Sequence, residues 1–156
     1  AESVVSVDIA KPALGTIEHT LELNALDPAR HTPLVADVFD FLPRWLDGEE
    51  RYDLVIVDPP SMANSADQRR RAQRAYLRLN RDAMRLVEPG GLLATASCTA
   101  QVSPEAFRQV VADAARAAGV RAQIVAERAH AVDHPVPVSF PEGRYLKFLL
   151  LRIQPD

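Results

Sequence analysis

The chain carries a single cysteine, Cys98, in 156 residues. That excludes an internal disulfide framework and a cysteine-rich zinc site, and it fits a reducing compartment. Its six glycines form no Gly-x-Gly-x-x-Gly turn, which counts against an intact nicotinamide dinucleotide site. No apolar run approaches the roughly 20 residues needed to span a bilayer, so no membrane association is expected. The first residues lack a basic segment followed by an apolar stretch and a cleavage site, so no secretory signal is read and the cytoplasm is the expected location. Positive charge is not in excess: 18 Lys and Arg stand against 21 Asp and Glu, a net charge of −3. Any binding of a polyanion must come from a local patch. Internal repeats, low-complexity tracts and linkers are also lacking.

What is present is an ordinary globular composition, 47% hydrophobic and 25% charged, of one-domain size. Val4 to Ile9 reads as a buried β-branched strand. A helix follows with Pro12 in its first turn and Leu14, Ile17, Leu21 and Ala25 at helical spacing. Pro33 to Ala36 predicts a short strand ending at Asp37, and Val38 to Leu46 a short helix with Phe41, Leu42 and Trp45 on one side. Tyr52 to Val57 is continuously apolar, the pattern of a strand buried on both faces. Ser65 to Glu88 predicts a long helix stopped by Pro89-Gly90-Gly91. Leu92 to Ser97 is the next strand. Ser103-Pro104-Glu105 has the cap, the first-turn proline and the acid of a helix start, and Gly119 ends that helix. Arg121 to Glu127 and Tyr145 to Ile153 are the last strands, with Asp133 to Pro137 a rigid loop. The alternation predicts an α/β fold, a mostly parallel sheet with helices on both faces that closes on a strand pair.

In such a sheet the carboxyl ends of the strands form the ligand crevice. Asp58-Pro59-Pro60 follows one strand and Ser97-Cys98-Thr99 another, which places a carboxylate and a thiol on one rim. That pairing points to covalent chemistry on a planar, polarisable substrate such as a nucleobase. Two prolines fix φ and force a stiff turn, holding Asp58 and nearby carbonyls where an exocyclic amine or ring nitrogen could meet them. A rigid turn with a capping Asp is the alternative. Cys98 could equally be a small buried hydrophobe, but its place past a strand end, near a helix start, favours a reactive thiol. Asp8 and Asp37 also end predicted strands. Each could cap a helix, whereas two acids on one rim point to an adenosine-type ligand. On the long helix, Arg70, Arg74, Arg78, Arg81 and Arg85 fall within about 80° of arc. Such a stripe is either a solvated face or a phosphate-binding one. His134 has no second metal ligand nearby, so no metal site is expected there; it is structural or shapes the substrate mouth.

Taken in order, several segments carry a resemblance. They are Ser6-Val7-Asp8-Ile9, Asp37-Val38-Phe39, Asp53 to Pro60, Gly90 to Leu93, Ser97-Cys98-Thr99, Asp133-His134-Pro135 and Pro141 to Lys147. Together they resemble the catalytic region of class I S-adenosylmethionine-dependent methyltransferases of the large-subunit ribosomal RNA cytosine-C5 group. The resemblance covers nearly the whole chain and implies a Rossmann-like methyltransferase domain over residues 1–156. It implies that Asp8 and Ile9 meet the cofactor ribose, and that Asp37 and Val38 meet its adenine. Asp58 and Pro59 would face the methionine end and the target base. Cys98 would be the nucleophile that adds to cytosine C6. Pro60, Arg70, Arg74, Arg78 and His134 would face the RNA.

Three departures accompany it. The family's first strand and Gly-rich turn, which hold the methionine part of the cofactor, are not found in these residues. Neither is the PUA RNA-binding domain that full-length members carry. Position 61 is Ser, where several members have Lys. Without that first strand, the strands ending at Asp8 and Asp58 would each keep an unpaired edge. The expectation is an N-terminally truncated piece of a longer enzyme, or a sheet completed by rearrangement or by another copy in a homodimer. Two other functions stay open. One is amino-methylation of adenine or guanine, which uses an Asp/Asn-Pro-Pro turn followed by an aromatic and needs no cysteine. The other is a catalytically incomplete RNA-binding fragment that uses the arginine stripe.

Overall fold

The computed structural model describes residues 1–154. The chain forms two units, Ala1–Gly48 and Glu49–Asp156.

In the first unit, β1 (Val4–Asp8) pairs in parallel with β2 (His31–Val35), from Val4 opposite His31 to Asp8 opposite Val35. Between them runs α1 (Lys11–Leu23), with Pro12 in its first turn and Leu14 buried. α2 (Val38–Trp45) follows β2. Phe41 and Trp45 sit on one side of it, rings edge to face at 4.5 Å. β2 starts two residues earlier than expected and includes Pro33. Proline is tolerated because β2 is an edge strand.

The second unit contains β3 (Tyr52–Val57), α3 (Arg69–Arg85), β4 (Val87–Ser97), α4 (Pro104–Ala118), β5 (Ala122–Arg128) and β6 (Lys147–Ile153). Its sheet runs β3-β4-β6-β5. β3 and β4 are parallel, and β6 lies antiparallel between β4 and β5. This is a Rossmann-like α/β architecture with a mixed sheet. Its core joins Leu93, Ala94 and Ala96 of β4, Leu149, Leu151 and Ile153 of β6, and the inner faces of α3 and α4, including Tyr76, Met84 and Phe107. Each large side chain buried there is worth about 1.5–3 kcal/mol.

The sheet expected to be mostly parallel has as many antiparallel as parallel pairings among the described residues, and further details differ from the sequence expectation. β3 is not buried on both faces: Leu54 is 49% and Ile56 69% exposed, while Val57 is 7% exposed. Leu54 and Ile56 share one face of the strand and Val57 lies on the other, so one face is open and the other covered. α3 is shorter than predicted, because Ala66–Gln68 is a separate 3-10 turn before it. β4 begins at Val87 rather than Leu92. Its pairing with β3 jumps from Tyr52–Val87 to Leu54–Leu92, so residues 88–91 bulge out of the ladder. The bulge accommodates Pro89, and Gly91 is required where it ends. A Cβ there would lie 2.8 Å from the Asp53 carbonyl oxygen and 2.8 Å from Val87 Cγ1.

α4 matches its signals. Ser103 Oγ accepts from the Ala106 N–H at 3.2 Å, and Gly119 ends the helix at φ 73°. No helix among the described residues is long and apolar enough to cross a membrane.

Candidate active site

Asp58 follows the last residue of β3, and Cys98 follows the last residue of β4. Because those strands are parallel neighbours with Val57 opposite Thr95, both groups emerge on the same rim. Cys98 Sγ lies 3.9 Å from the Pro59 carbonyl oxygen. Asp58, Pro59, Pro60, Cys98 and His134 line a single cavity of about 460 Å³. His130, Ala131, Tyr145 and Leu146 complete its wall, with the rings of His130 and Tyr145 edge to face at 5.0 Å. His130 Nε2 is buried without a hydrogen-bond partner. His134 is exposed and sits 3.5 Å from the Asp133 carboxylate.

Thr99 fastens the two turns to each other. Its Oγ1 accepts from the Met62 N–H at 3.0 Å and lies 2.7 Å from the Tyr76 hydroxyl and 3.5 Å from Ser61 Oγ. Its own N–H donates to Ser97 Oγ at 3.3 Å. Thr99, Ser97 and Tyr76 are fully buried. Burial pushes the Tyr76 phenol upward, against the pull of Ser97 and Thr99. It therefore stays a neutral hydroxyl able to donate. One hydroxyl from α3 thus reaches the segment after Asp58-Pro59-Pro60 and the segment after Cys98 through a single threonine.

Lys147 holds the same region from the other side. Its Nζ donates to the carbonyl oxygens of Thr99 and Tyr145, each at 2.7 Å, and the residue is 5% exposed. Among the described residues no carboxylate pairs with it. Burial pushes the ammonium down to about 8, and the Cys98 charge opposes that drop. The unfolded chain therefore binds this proton more tightly than the folded one. Stability from this group is lowest below pH 8 and rises as pH climbs from about 8 toward the unfolded value. The urea midpoint is expected to increase between about pH 7.5 and about pH 9.5. In Lys147→Met that increase should vanish.

The other predicted residues lie elsewhere. Asp8, Ile9, Asp37 and Val38 belong to the first unit. Asp8 Oδ1 accepts from the Ala10 N–H at 2.7 Å, and Asp37 Oδ1 caps α2 through the Phe39 N–H at 2.8 Å. Each exposed carboxylate spends one oxygen on its own turn, and the other has no partner among the described residues. That leaves an acceptor at the end of each strand for a ribose hydroxyl or an adenine amine, so the residues present fit an adenosine group. Arg70, Arg74 and Arg78 are on the exposed face of α3 and do not line the cavity. Arg81 is bound to the buried carboxylate of Asp82 at 2.7 Å.

Sequence reasoning assigned no role to Tyr76, Thr99, His130, Tyr145 or Lys147. Two signals were available. A tyrosine on the apolar face of a helix needs a hydrogen-bond partner, and a lysine opening an apolar strand must be neutralised or satisfied if buried.

No family model matches the chain. It is 39% identical over 153 residues to ribosomal RNA large subunit methyltransferase I of Shewanella amazonensis, covering 98% of this chain and 39% of that protein. It is 38% identical over 156 residues to the protein of the same name from Alteromonas mediterranea, covering 100% of this chain and 39% of that protein. The chain thus spans about two fifths of the length of these relatives. Among solved structures, one from Streptococcus mutans described as a SAM-dependent methyltransferase superposes with a TM-score of 0.83 at 25% identity. It covers 97% of this chain and 39% of that one. Another, described as a methyltransferase complexed with SAH, gives the same values. The fold is therefore the Rossmann-like methyltransferase fold expected from the sequence.

Proposed function

We propose that this chain is the catalytic part of a SAM-dependent methyltransferase acting on cytosine C5 of large-subunit ribosomal RNA, with Cys98 as covalent nucleophile. The observation that carries the reading is the shared cavity of Asp58 and Cys98 at adjoining strand ends. The relatives' ribosomal RNA methyltransferase name supports the substrate class.

Cytosine C5 is a poor nucleophile. Addition of the Cys98 thiolate to C6 makes C5 an enamine carbon, and Asp58 assists by hydrogen-bonding the N3 edge. S-adenosylmethionine, when bound, supplies an electrophilic methyl group. Loss of the C5 proton then lets the C6–S bond break, which restores the ring and frees Cys98. The rigid Pro59-Pro60 turn keeps Asp58 from swinging out of this geometry. A base must leave its stack to enter the cavity, so the substrate is an RNA loop or a flipped nucleotide. Arg70, Arg74 and Arg78 would take flanking phosphates. An amine target is less well supported: Ser61 and Met62, not an aromatic, follow the proline pair, and both are tied to Thr99.

Asp8 and Ile9 would meet the ribose and Asp37 and Val38 the adenine, with Asp58 and Pro59 toward the methionine end. These residues contain no Gly-rich turn for that methionine end. A strand carrying it would pair with the free edge of β3, supplied by the rest of a longer protein or by a second copy. On this reading the 156 residues bind S-adenosylmethionine only weakly by themselves. Calorimetric titration tests it, and a micromolar Kd for the isolated chain would overturn the half-site reading.

A further inference from the structure

The chain has five Phe, three Tyr and one Trp. Of these nine, only Phe140, at 55%, and Tyr145, at 41%, are exposed, and both sit on the loop between β5 and β6. That loop supplies His130, Ala131, His134, Tyr145 and Leu146 to the cavity that holds Asp58 and Cys98. Phe140 is fixed in its exposed place. Its N–H donates to the Pro137 carbonyl at 3.0 Å, and its carbonyl accepts from the Gly143 N–H at 3.1 Å. Its ring lies over Gly143, where a Cβ would come within 3.1 Å of Phe140 Cδ1 and 2.8 Å of Val136 Cγ1. Pro135 and Pro137 stiffen the approach to it. Tyr145 follows two residues after Gly143, at most about 7 Å of chain. Between them Arg144 is exposed, with no ion pair among the described residues.

We propose that Phe140 is a substrate-binding residue whose open ring face stacks on a base flanking the target nucleotide, with Arg144 on the phosphate between the two. The partner is unpaired RNA. Single-stranded bases are recognised by stacking on exposed aromatic rings, whereas a base inside a duplex has both faces covered. Stacked neighbours stand about 3.4 Å apart along a strand, so a ring one short turn from the cavity wall meets a flanking base and not the target itself. Such a stack also replaces the neighbour that the flanking base loses when the target enters the cavity. Charge does not carry this contact. Asp133 and Glu142 outnumber Arg144 on the loop, so it offers RNA a π face rather than a field. Val132 and Val138, fully exposed on the same loop, add apolar surface to it.

This rests on the reading of the chain as an RNA methyltransferase, so the test reads RNA binding by the intact protein and not methyl transfer. The probe is a short single-stranded oligoribonucleotide of mixed sequence, with the same sequence as a duplex for comparison. Phe140→Leu keeps an apolar side chain on Gly143 and removes the π face. It is expected to bind the single strand about tenfold or more weakly, with the duplex unaffected. Phe140→Tyr should stay within about threefold of the unaltered protein. The dependence of affinity on salt should be the same in Phe140→Leu as in the unaltered protein, while Arg144→Gln should lower its slope by about one. In Phe140→Trp the single strand should quench the added fluorescence, with the unaltered protein as background. Phe140→Leu affinity within about twofold of the unaltered value would overturn the proposal. So would a Phe140→Trp signal that RNA leaves unchanged, with a lowered urea midpoint in Phe140→Leu, because the ring then packs against another part of the protein. Failure of the methyltransferase reading is separate: it shows as stacking on RNA that yields no methylated base.

Discussion

Replacing Cys98 with alanine in the intact protein is expected to lower 5-methylcytosine formation in ribosomal RNA by about a thousandfold or more. The step at stake is creation of the C5 nucleophile, and nothing else in the cavity can replace it. Asp58 can polarise the ring but cannot saturate the C5–C6 bond, and the imidazoles of His130 and His134 and the phenol of Tyr145 are weaker nucleophiles toward C6 than a cysteine sulfur. Removal of a covalent nucleophile typically leaves only the residual rate due to binding and orientation. The substitution should leave the fold intact. Cys98 is half-buried, the one side-chain hydrogen bond of its sulfur among the described residues is the long 3.9 Å approach to the Pro59 carbonyl, and the clamps on either side belong to Thr99 and Lys147. Mass spectrometry of digested RNA measures the product. Trapping with 5-fluorocytosine RNA measures the adduct, which should form with the unaltered protein and not with Cys98→Ala. Turnover that survives in Cys98→Ala would redirect the reading to an exocyclic amine, whose lone pair needs no activating thiol.

The rim that carries Asp58 and Cys98 was legible because two apolar runs of strand length both end in polar residues, and adjacent parallel strands put like ends together. The helix ends at Ser103 and Gly119 were legible for similar local reasons. The bulge over residues 88–91 was not. Pro89-Gly90-Gly91 reads as a helix stop, and only the pairing partner, Tyr52 to Leu54, reveals that the chain is already in the strand. Nor was the open face of β3 legible, since an apolar run reports what a strand can bury, not what stands beside it. Lys147 was hidden by its own context, as one charge at the head of an apolar strand. Its partner carbonyl on Thr99 is 48 residues away, beyond the reach of any local pattern.

Thr99→Val is expected to have the second largest effect, because it keeps the shape of the side chain and removes the one oxygen on which two segments converge. The Tyr76 hydroxyl is fully buried and would lose its 2.7 Å partner, and the Met62 N–H would lose its acceptor at 3.0 Å. Leaving a buried donor unsatisfied costs about 1–3 kcal/mol, so a loss of about 2–3 kcal/mol is expected in urea unfolding. Tyr76→Phe removes the phenol but leaves the Met62–Thr99 bond, and should cost about 1 kcal/mol. In the Thr99→Val background the same Tyr76→Phe change should cost less or restore stability, because the hydroxyl that has lost its Thr99 partner and keeps only Ser97 is then gone. That sign reversal separates a shared hydrogen bond from two independent packing losses. For catalysis the consequence is positional. Without Thr99 Oγ1 the Ser61-Met62 segment is no longer tied to the Cys98 turn, and Asp58 and the thiol lose their common reference. A displacement of the order of 1 Å at reacting groups can cost about a hundredfold. The loss should appear in kcat, while alkylation of Cys98 by iodoacetamide, which needs only the thiol and not its alignment with Asp58, should change little. Equal kcat and an unchanged urea midpoint in Thr99→Val would mean that the two turns hold their geometry through the β3–β4 ladder alone.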